Sequence, residues 1–321
     1  MLNRFINIIA ACFVFAVGLA GQETGYGPGY QTMLAGNPAL SGAEGDGMLR
    51  LSYLNFYPGN GYNLHSIFTS YDSYIQPLHG GAGIWISDDY LGGIVNDIRG
   101  GLAYAYFLQA GEELFLNAGL SASVYHRGFN FGNAVLPDQI DALGGVSLPS
   151  GETLTTRGRT VFDIGTGFLV IYRNIFCGFG LSHLSQPDLS SGSSSERLKR
   201  KFLLHAAGNI PVNSERSIVL QPTGYVEFQG DYLLTGGGTA VEINNLSFNA
   251  ILTGDNSGNM NFQTGFSVKA GKLAVFYAYR INVVSGNNFM PLSLLHQTGL
   301  AFVLNSVEKR NNIRTISLPK M

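Results

Sequence analysis

Six histidines punctuate the chain, His65, His79, His126, His183, His205 and His296, and none lies four residues from another, the spacing with which a helix binds metal. Ser182 and His183 join a nucleophile to a base in sequence. In the alternating run they occupy, however, neighbours point to opposite faces, so they cannot pair locally. Gly25-Tyr26-Gly27-Pro28-Gly29 supplies glycines but neither the lysine nor the strand-to-helix context of a phosphate loop. The expectation is a protein without a catalytic residue, cofactor or metal site, hence not an enzyme. More telling are charges inside otherwise alternating runs: Asp72, Arg99, Asp163, Glu227, Lys269 and Arg280. An Arg or Lys facing lipid near the bilayer midplane costs about 2 to 4 kcal/mol, so all six are predicted to face a lumen, where they pair or hold a plug.

The runs that carry these charges repeat one pattern from about residue 47 onward. In 114–127, Leu114, Leu116, Ala118, Leu120, Ala122 and Val124 share one face, with Asn117, Gly119, Ser121, Ser123 and Arg127 on the other. Phe162, Ile164, Phe168, Val170 and Tyr172 likewise oppose Asp163, Gly165, Gly167 and Arg173, and Met260, Phe262, Phe266 and Val268 oppose Asn261, Gln263, Ser267 and Lys269. Strands in a soluble sandwich average five or six residues, whereas a tilted membrane strand needs about nine to eleven. These runs have the membrane length.

The fold class predicted is all-β, a transmembrane antiparallel barrel of about 14 strands, with 12 to 16 as the range. The strands fall at 48–57, 62–74, 80–88, 98–109, 113–127, 160–173, 175–185, 200–210, 216–228, 232–243, 246–254, 259–269, 272–284 and 294–304. Connections test this reading independently, because such barrels keep short periplasmic turns and longer outer loops on alternating ends. The longest connections, Asp89 to Asp97, Gly128 to Arg159, Gln186 to Lys199 and Ser285 to Ser293, fall third, fifth, seventh and thirteenth. The tight ones, Asn174, Asn244-Asn245 and Ala270-Gly271, fall sixth, tenth and twelfth. The parity is that of an even barrel with both termini inside. Tyr53, Tyr57, Tyr104, Tyr106, Tyr277 and Tyr279 suit aromatic girdles, and strand glycines such as Gly100-Gly101 and Gly236-Gly237-Gly238 suit curvature or a nearby lumen segment.

Composition agrees with that class. Only 12% of the 321 residues are charged, about half the usual share, while 43 are glycine and 12% aromatic. Past residue 21 no stretch approaches the roughly 20 apolar residues of a spanning helix. With a net charge of -2 there is no basic field to attract nucleic acid. Residues 1–21 read as a signal peptide, with polar Asn3 and Arg4, apolar Phe5 to Val17, and cleavage after Ala20 or Gly21 at Gly18-Leu19-Ala20. Cys12 follows a loose lipobox, Ile9-Ala10-Ala11, but the apolar run before it is short. Once the signal is removed Cys177 is the remaining cysteine, so no internal disulfide framework is expected. The expected organisation is thus 1–21 signal, 22–46 an N-terminal periplasmic or lumenal, hatch-like segment, 47–304 the outer-membrane barrel, and 305–321 a periplasmic tail. That tail, with Glu308, Lys309, Arg310, Arg314 and Lys320, is either a docking element or a frayed terminus.

Several segments give the chain a family resemblance. Asn37-Pro38-Ala39 stands shortly before the first strand, Ser70-Tyr71-Asp72 precedes Gly80-Gly81-Ala82-Gly83-Ile84, and Tyr172-Arg173-Asn174 runs into Gly178-Phe179-Gly180-Leu181-Ser182-His183-Leu184-Ser185-Gln186-Pro187. These resemble the PorP/SprF outer-membrane proteins of the type IX secretion system of Bacteroidota, over nearly the whole mature chain. Ser185 stands where that family often has Asn. The resemblance implies a non-enzymatic role in secretion or gliding motility, assisting export or surface anchoring of cargo that carries a C-terminal secretion domain. Implied partners are those cargo domains, periplasmic components of the machinery, and outer-membrane lipid. Asn37 and Pro38 are the candidate hatch turn, and His183, Gln186 and Pro187 the candidate partner contact, where Gln-Pro also simply ends a strand. The alternative is a FadL-like or PorV-like transporter of hydrophobic ligands, also of about fourteen strands with an Asn-Pro-Ala hatch.

Overall fold

Fourteen antiparallel strands close into one barrel in the computed structural model, which describes residues 29–58, 64–131, 139–141, 145–146, 158–190, 196–215, 217–285, 294–305 and 315–319. They are β1 Gly47–Phe56, β2 Leu64–Ile75, β3 Gly80–Leu91, β4 Val95–Gln109, β5 Leu114–Phe129, β6 Arg159–Tyr172, β7 Ile175–Ser182, β8 Lys201–Gly208, β9 Ile218–Gln229, β10 Tyr232–Ile243, β11 Leu246–Asp255, β12 Met260–Ala270, β13 Leu273–Val284 and β14 Leu295–Asn305. Each pairs with the next, β8 resumes briefly at Ile210–Pro211 against the same β9, and β14 returns to β1 with Leu51 opposite Leu300. Closure is what a membrane demands, since unpaired backbone groups in hydrocarbon cost several kcal/mol each. The signal region and most of 128–159 lie outside the described residues.

The period of two sorts side chains to opposite sides of the wall. On β6 Phe162, Ile164, Phe168 and Val170 stand exposed outward, while Asp163, Gly165, Gly167, Leu169 and Ile171 are buried inward. Leu102 and Leu120, 62% and 67% exposed, belong to the same outer band, which is too apolar for water and suited to lipid. Tyr53, Tyr104 and Tyr106 are exposed on that face, and Tyr277 is half-buried with its hydroxyl 2.7 Å from His296 Nδ1.

Two expectations need correction. Asp89 to Asp97 is not a long connection: the β3–β4 ladder continues through Asp89↔Asp97 to Leu91↔Val95, and Gly92 and Gly93, with φ of 66° and 80°, make a tight turn. The acidic residues that read as loop are inward and bound to arginines, Asp89 to Arg99 and Asp97 to Arg127. Arg173 does not share the inward face of β6. The strand stops at Tyr172, and Arg173 takes a φ of 55° in the hairpin turn, exposed and paired with Glu113.

The segment that enters β1 and the described part of the tail meet at one mouth, called here the inner end because even barrels keep their termini in the periplasm. From residue 29 the chain runs inside the wall through 3-10 turns at Met33–Ala35 and Pro38–Leu40 before entering β1. Of the tail, Thr315–Pro319 is described, and it folds back across the same mouth. Ile316 N–H donates to Ala43 C=O at 3.0 Å, Leu318 N–H to Glu44 Oε1 at 3.3 Å, and Asn209 Nδ2 to Ser317 C=O at 3.0 Å. Ile316 and Leu318 are buried in the cluster that holds Tyr30, Met33, Leu40 and Ala43. Each such side chain contributes about 1.5 to 3 kcal/mol on burial. The charges of the tail, Glu308, Lys309, Arg310, Arg314 and Lys320, lie outside the described residues.

Candidate functional site

The site is the lumen, and the chain itself fills much of it. Asn37 has extended backbone at φ -138° and ψ 99°, and its Oδ1 accepts from Ala39 N–H at 3.0 Å, with Pro38 at the first position of the turn. This is the local capping that Asn followed by Pro favours, since the missing proline N–H would be unused there. The other end of the same amide donates to Phe168 C=O at 3.3 Å and to His205 Nε2 at 2.9 Å. An amide nitrogen only donates, so His205 Nε2 accepts and the ring is neutral, its Nδ1 proton directed at Tyr30 Oη 3.3 Å away. Burial also pushes the Tyr30 phenol well above its ordinary range.

What lets this turn reach the wall is an absence of side chains. Gly119 of β5 stands opposite Gly167 of β6, and Gly167 opposite Gly180 of β7, a row of bare backbone across three strands. A Cβ at these positions would lie 2.3 Å from Ala39 N, 2.1 Å from Asn37 Oδ1 and 2.0 Å from Gly36 O. Residues 36–39 therefore rest on the sheet backbone itself. Further along, Asp72 on β2 accepts from Gly42 N–H at 2.7 Å and binds Arg50 of β1, which also binds Glu44. Arg50 and Asp72 are both buried, so removing one partner strands a charge, typically at about 3 to 5 kcal/mol.

The outer end is closed differently. Asp97 receives Arg127 through Nε at 2.8 Å and Nη2 at 2.9 Å, together with the Tyr125 hydroxyl at 2.5 Å. Arg127 Nη1 reaches Glu196 at 2.6 Å, on the connection from β7 to β8. That connection folds inward: Leu189 and Leu198 are buried against Tyr125, and Leu198 N–H donates to Pro187 C=O at 3.0 Å. Between the closures lies a cavity of about 80 Å³ lined by Trp85, Arg99, Asp163, Lys201, Tyr225 and Glu227. A water needs at least roughly 10 to 15 Å³ of such space, so the cavity takes a few waters and no folded or extended chain.

The structure separates the sequence-predicted residues into groups. Asn37 and Pro38 sit on the glycine row, and Asp72 holds the segment they belong to. Asp163 accepts from His183 N–H at 3.1 Å, lies 2.8 Å from His183 Nδ1 and accepts from Ser185 Oγ at 2.8 Å. His183 and Gln186, with φ of 59° and 46°, turn the chain inward, and His183 and Pro187 are buried there. Arg99 pairs with Asp89, Glu227 with Lys201 at 3.3 Å, and Arg280 donates to Gln263 Oε1 at 3.0 Å. Lys269 is exposed near the inner end of β12. Arg50, Tyr125, Arg127 and His205 carry as much of the lumen as these. Their signal was a polar or charged residue at an inward position of an apolar strand, the same signal that marked the other six.

Chemically the arrangement ties strand to strand and segment to wall. In the Ser185, Asp163 and His183 group the carboxylate stands between hydroxyl and imidazole, so the hydroxyl has no imidazole beside it, whereas the Ser-His-acid arrangement has the imidazole in the middle. Among the described residues no three His, Cys, Asp or Glu side chains are placed to hold a metal ion.

The family model described as type IX secretion system membrane protein PorP/SprF matches residues 20–294. Among solved structures, the chain is similar to a TodX monoaromatic hydrocarbon channel, the deltaS2S3 mutant, with a TM-score of 0.51 and 14% identity over 89% of this chain and 96% of that one. The CymD monoaromatic hydrocarbon channel gives 0.51 and 11% over 89% and 95%. The outer membrane protein Omp33 of Acinetobacter baumannii gives 0.45 and 11% over 82% and 100%. At such identities the likeness speaks for the barrel fold alone. No curated protein matches the sequence.

Proposed function

The chain belongs to the PorP/SprF family of type IX secretion system membrane proteins, and from that premise we propose that it assists export or surface anchoring of cargo proteins bearing a C-terminal secretion domain. It is an outer-membrane barrel, and the proposed role is non-enzymatic: docking cargo domains outside and periplasmic components of the machinery inside. The observation that carries this reading, beside the family, is the filled lumen. A barrel whose interior holds its own residues 29–46, with a cavity of about 80 Å³ beside them, suits a docking platform better than a conduit for protein. In this reading residues 1–21 are the cleaved signal, and 22–46 form the hatch, with Asn37 and Pro38 as its turn. His183, Gln186 and Pro187 shape the outer surface by folding the β7–β8 connection inward.

The test is affinity capture of the tagged barrel from its own outer membrane with mass spectrometry of what co-purifies. Recovery of a large secreted protein through its C-terminal domain, lost on deleting 129–158 or 187–198, supports the role. A barrel recovered alone with lipid or fatty acid in its lumen sinks it. That second outcome is the transporter reading, to which the hydrocarbon channels of like fold lend weight. The charges Arg99, Asp163, Lys201 and Glu227 around the small cavity oppose it, whereas a groove of about 750 Å³ in the β7–β12 wall, lined by Leu204, Val226, Gly237, Leu252 and Met260, favours it.

A further inference from the structure

We propose that the inner mouth carries a binding site for an extended peptide with apolar residues two apart, that Ile316-Ser317-Leu318 fills it as a strap, and that displacing the strap unlocks the lumenal segment. The inference rests on the geometry of the mouth and not on the secretion reading.

Three contacts fix the strap at two anchorages. Ile316 and Leu318 bond through their backbone N–H groups to Ala43 C=O and Glu44 Oε1, on the segment that enters β1. Ser317, pointing its carbonyl the other way, is held by Asn209 in the wall, at the break after β8. The strap thus spans the mouth from the wall to the segment. Alternation does the sorting, since Ile316 and Leu318 share one face and are buried with Tyr30, Met33 and Ala43, while Ser317 lies between them. Pro319 follows, and having no N–H it does not extend the contact.

The strap also divides the mouth. On one side is a cleft of about 390 Å³ lined by Arg173, Asn174, Asn209, Gln221 and Glu242, and on the other a cleft of about 340 Å³ lined by Glu44, Asp46, Arg50, Lys269 and Lys272. Thr315, Ile316 and Ser317 line both. Lifting the strap merges the two and removes the apolar cover from Met33 and Ala43. Main-chain bonding plus alternate apolar pockets is the way an extended peptide is recognised at a strand, so a periplasmic partner offering such a segment competes for the same place. A strap held by one main-chain bond and two side-chain bonds is local and opens at lower cost than a barrel strand.

The test uses the full chain with Ile316→Asp and Leu318→Asp together, purified and reconstituted in proteoliposomes. Expected is at least tenfold faster protease cleavage within residues 29–46. An excess of a synthetic peptide of residues 312–321 should restore the rate to within twofold of the parent, and the same peptide with Asp at the two apolar positions should not. Parent and variant agreeing within twofold, with both migrating as folded barrels, overturns the proposal, as does an equal effect of the two peptides. Should the double variant fail to fold, Asn209→Ala, which removes the strap's bond to the wall together with the bond from Gln221, is expected to raise the cleavage rate two- to threefold, and an unchanged rate overturns the proposal.

Discussion

The lumen is closed twice, and the two closures differ in depth. At the inner end, residues 36–42 lie on bare sheet backbone and are tied by Asp72 and Arg50, with side chains 2% and 5% exposed. At the outer end, Arg127 bridges buried Asp97 to Glu196, whose side chain is 51% exposed. Burial decides what each contact is worth. A desolvated pair cannot lose one member without stranding the other, whereas a rim pair trades its partner for water at little cost.

The sharpest way to break the comparison is Asp72→Ala. It leaves Arg50 buried beside Glu44 alone and frees Gly42 N–H, and a loss of about 3 to 5 kcal/mol is expected in urea unfolding of the detergent-solubilised barrel. A loss below 1 kcal/mol would mean that the inner closure is no deeper than the outer. Next comes Gly167→Leu. Even its Cβ would stand 2.1 Å from Asn37 Oδ1, and overpacking against the Asn37 and Pro38 side chains is expected to cost about 3 kcal/mol and to expose residues 29–46 to protease. Undiminished protection of the segment would show that it does not need the glycine row. Asn37→Ala removes a cap and two further buried bonds, one of them to His205, with an expected loss of about 1 to 2 kcal/mol by the same unfolding assay. Smallest is Glu196→Gln, at about 0 to 1 kcal/mol and with a particular signature. The difference from the parent should vanish as salt rises, because the half-exposed pair is screened. A salt-independent difference would move Glu196 into the buried class.

Sequence alone made the wall legible because the period of two leaves its mark on every strand, as Phe162 through Tyr172 illustrate. The lumen was legible one residue at a time. Asp72 and Asp163 declared themselves as charges in apolar runs, but their partners did not, for Arg50 and Gly42 meet Asp72 only after two strands and the segment come together. Asp89 and Asp97 misled for the same reason: without Arg99 and Arg127 beside them, two acids around Gly92-Gly93 resemble a solvated loop. The glycine row is the clearest case. Gly119, Gly167 and Gly180 are unremarkable in three separate strands, and their alignment is a property of strand register, which spans the long β5–β6 connection and has no local signature. The tail hid likewise, since its anchors at Ala43 and Asn209 are remote in sequence.

The glycine row bears finally on how such a molecule is assembled. A segment seated on the inner surface of three mid-chain strands meets them most readily before the β1–β14 seam has zipped, while the sheet is still an open ribbon. Residues 36–39 then act as a mandrel, a former that sets the radius at which β5, β6 and β7 curl, and three positions that have no side chain fix how closely the wall wraps it.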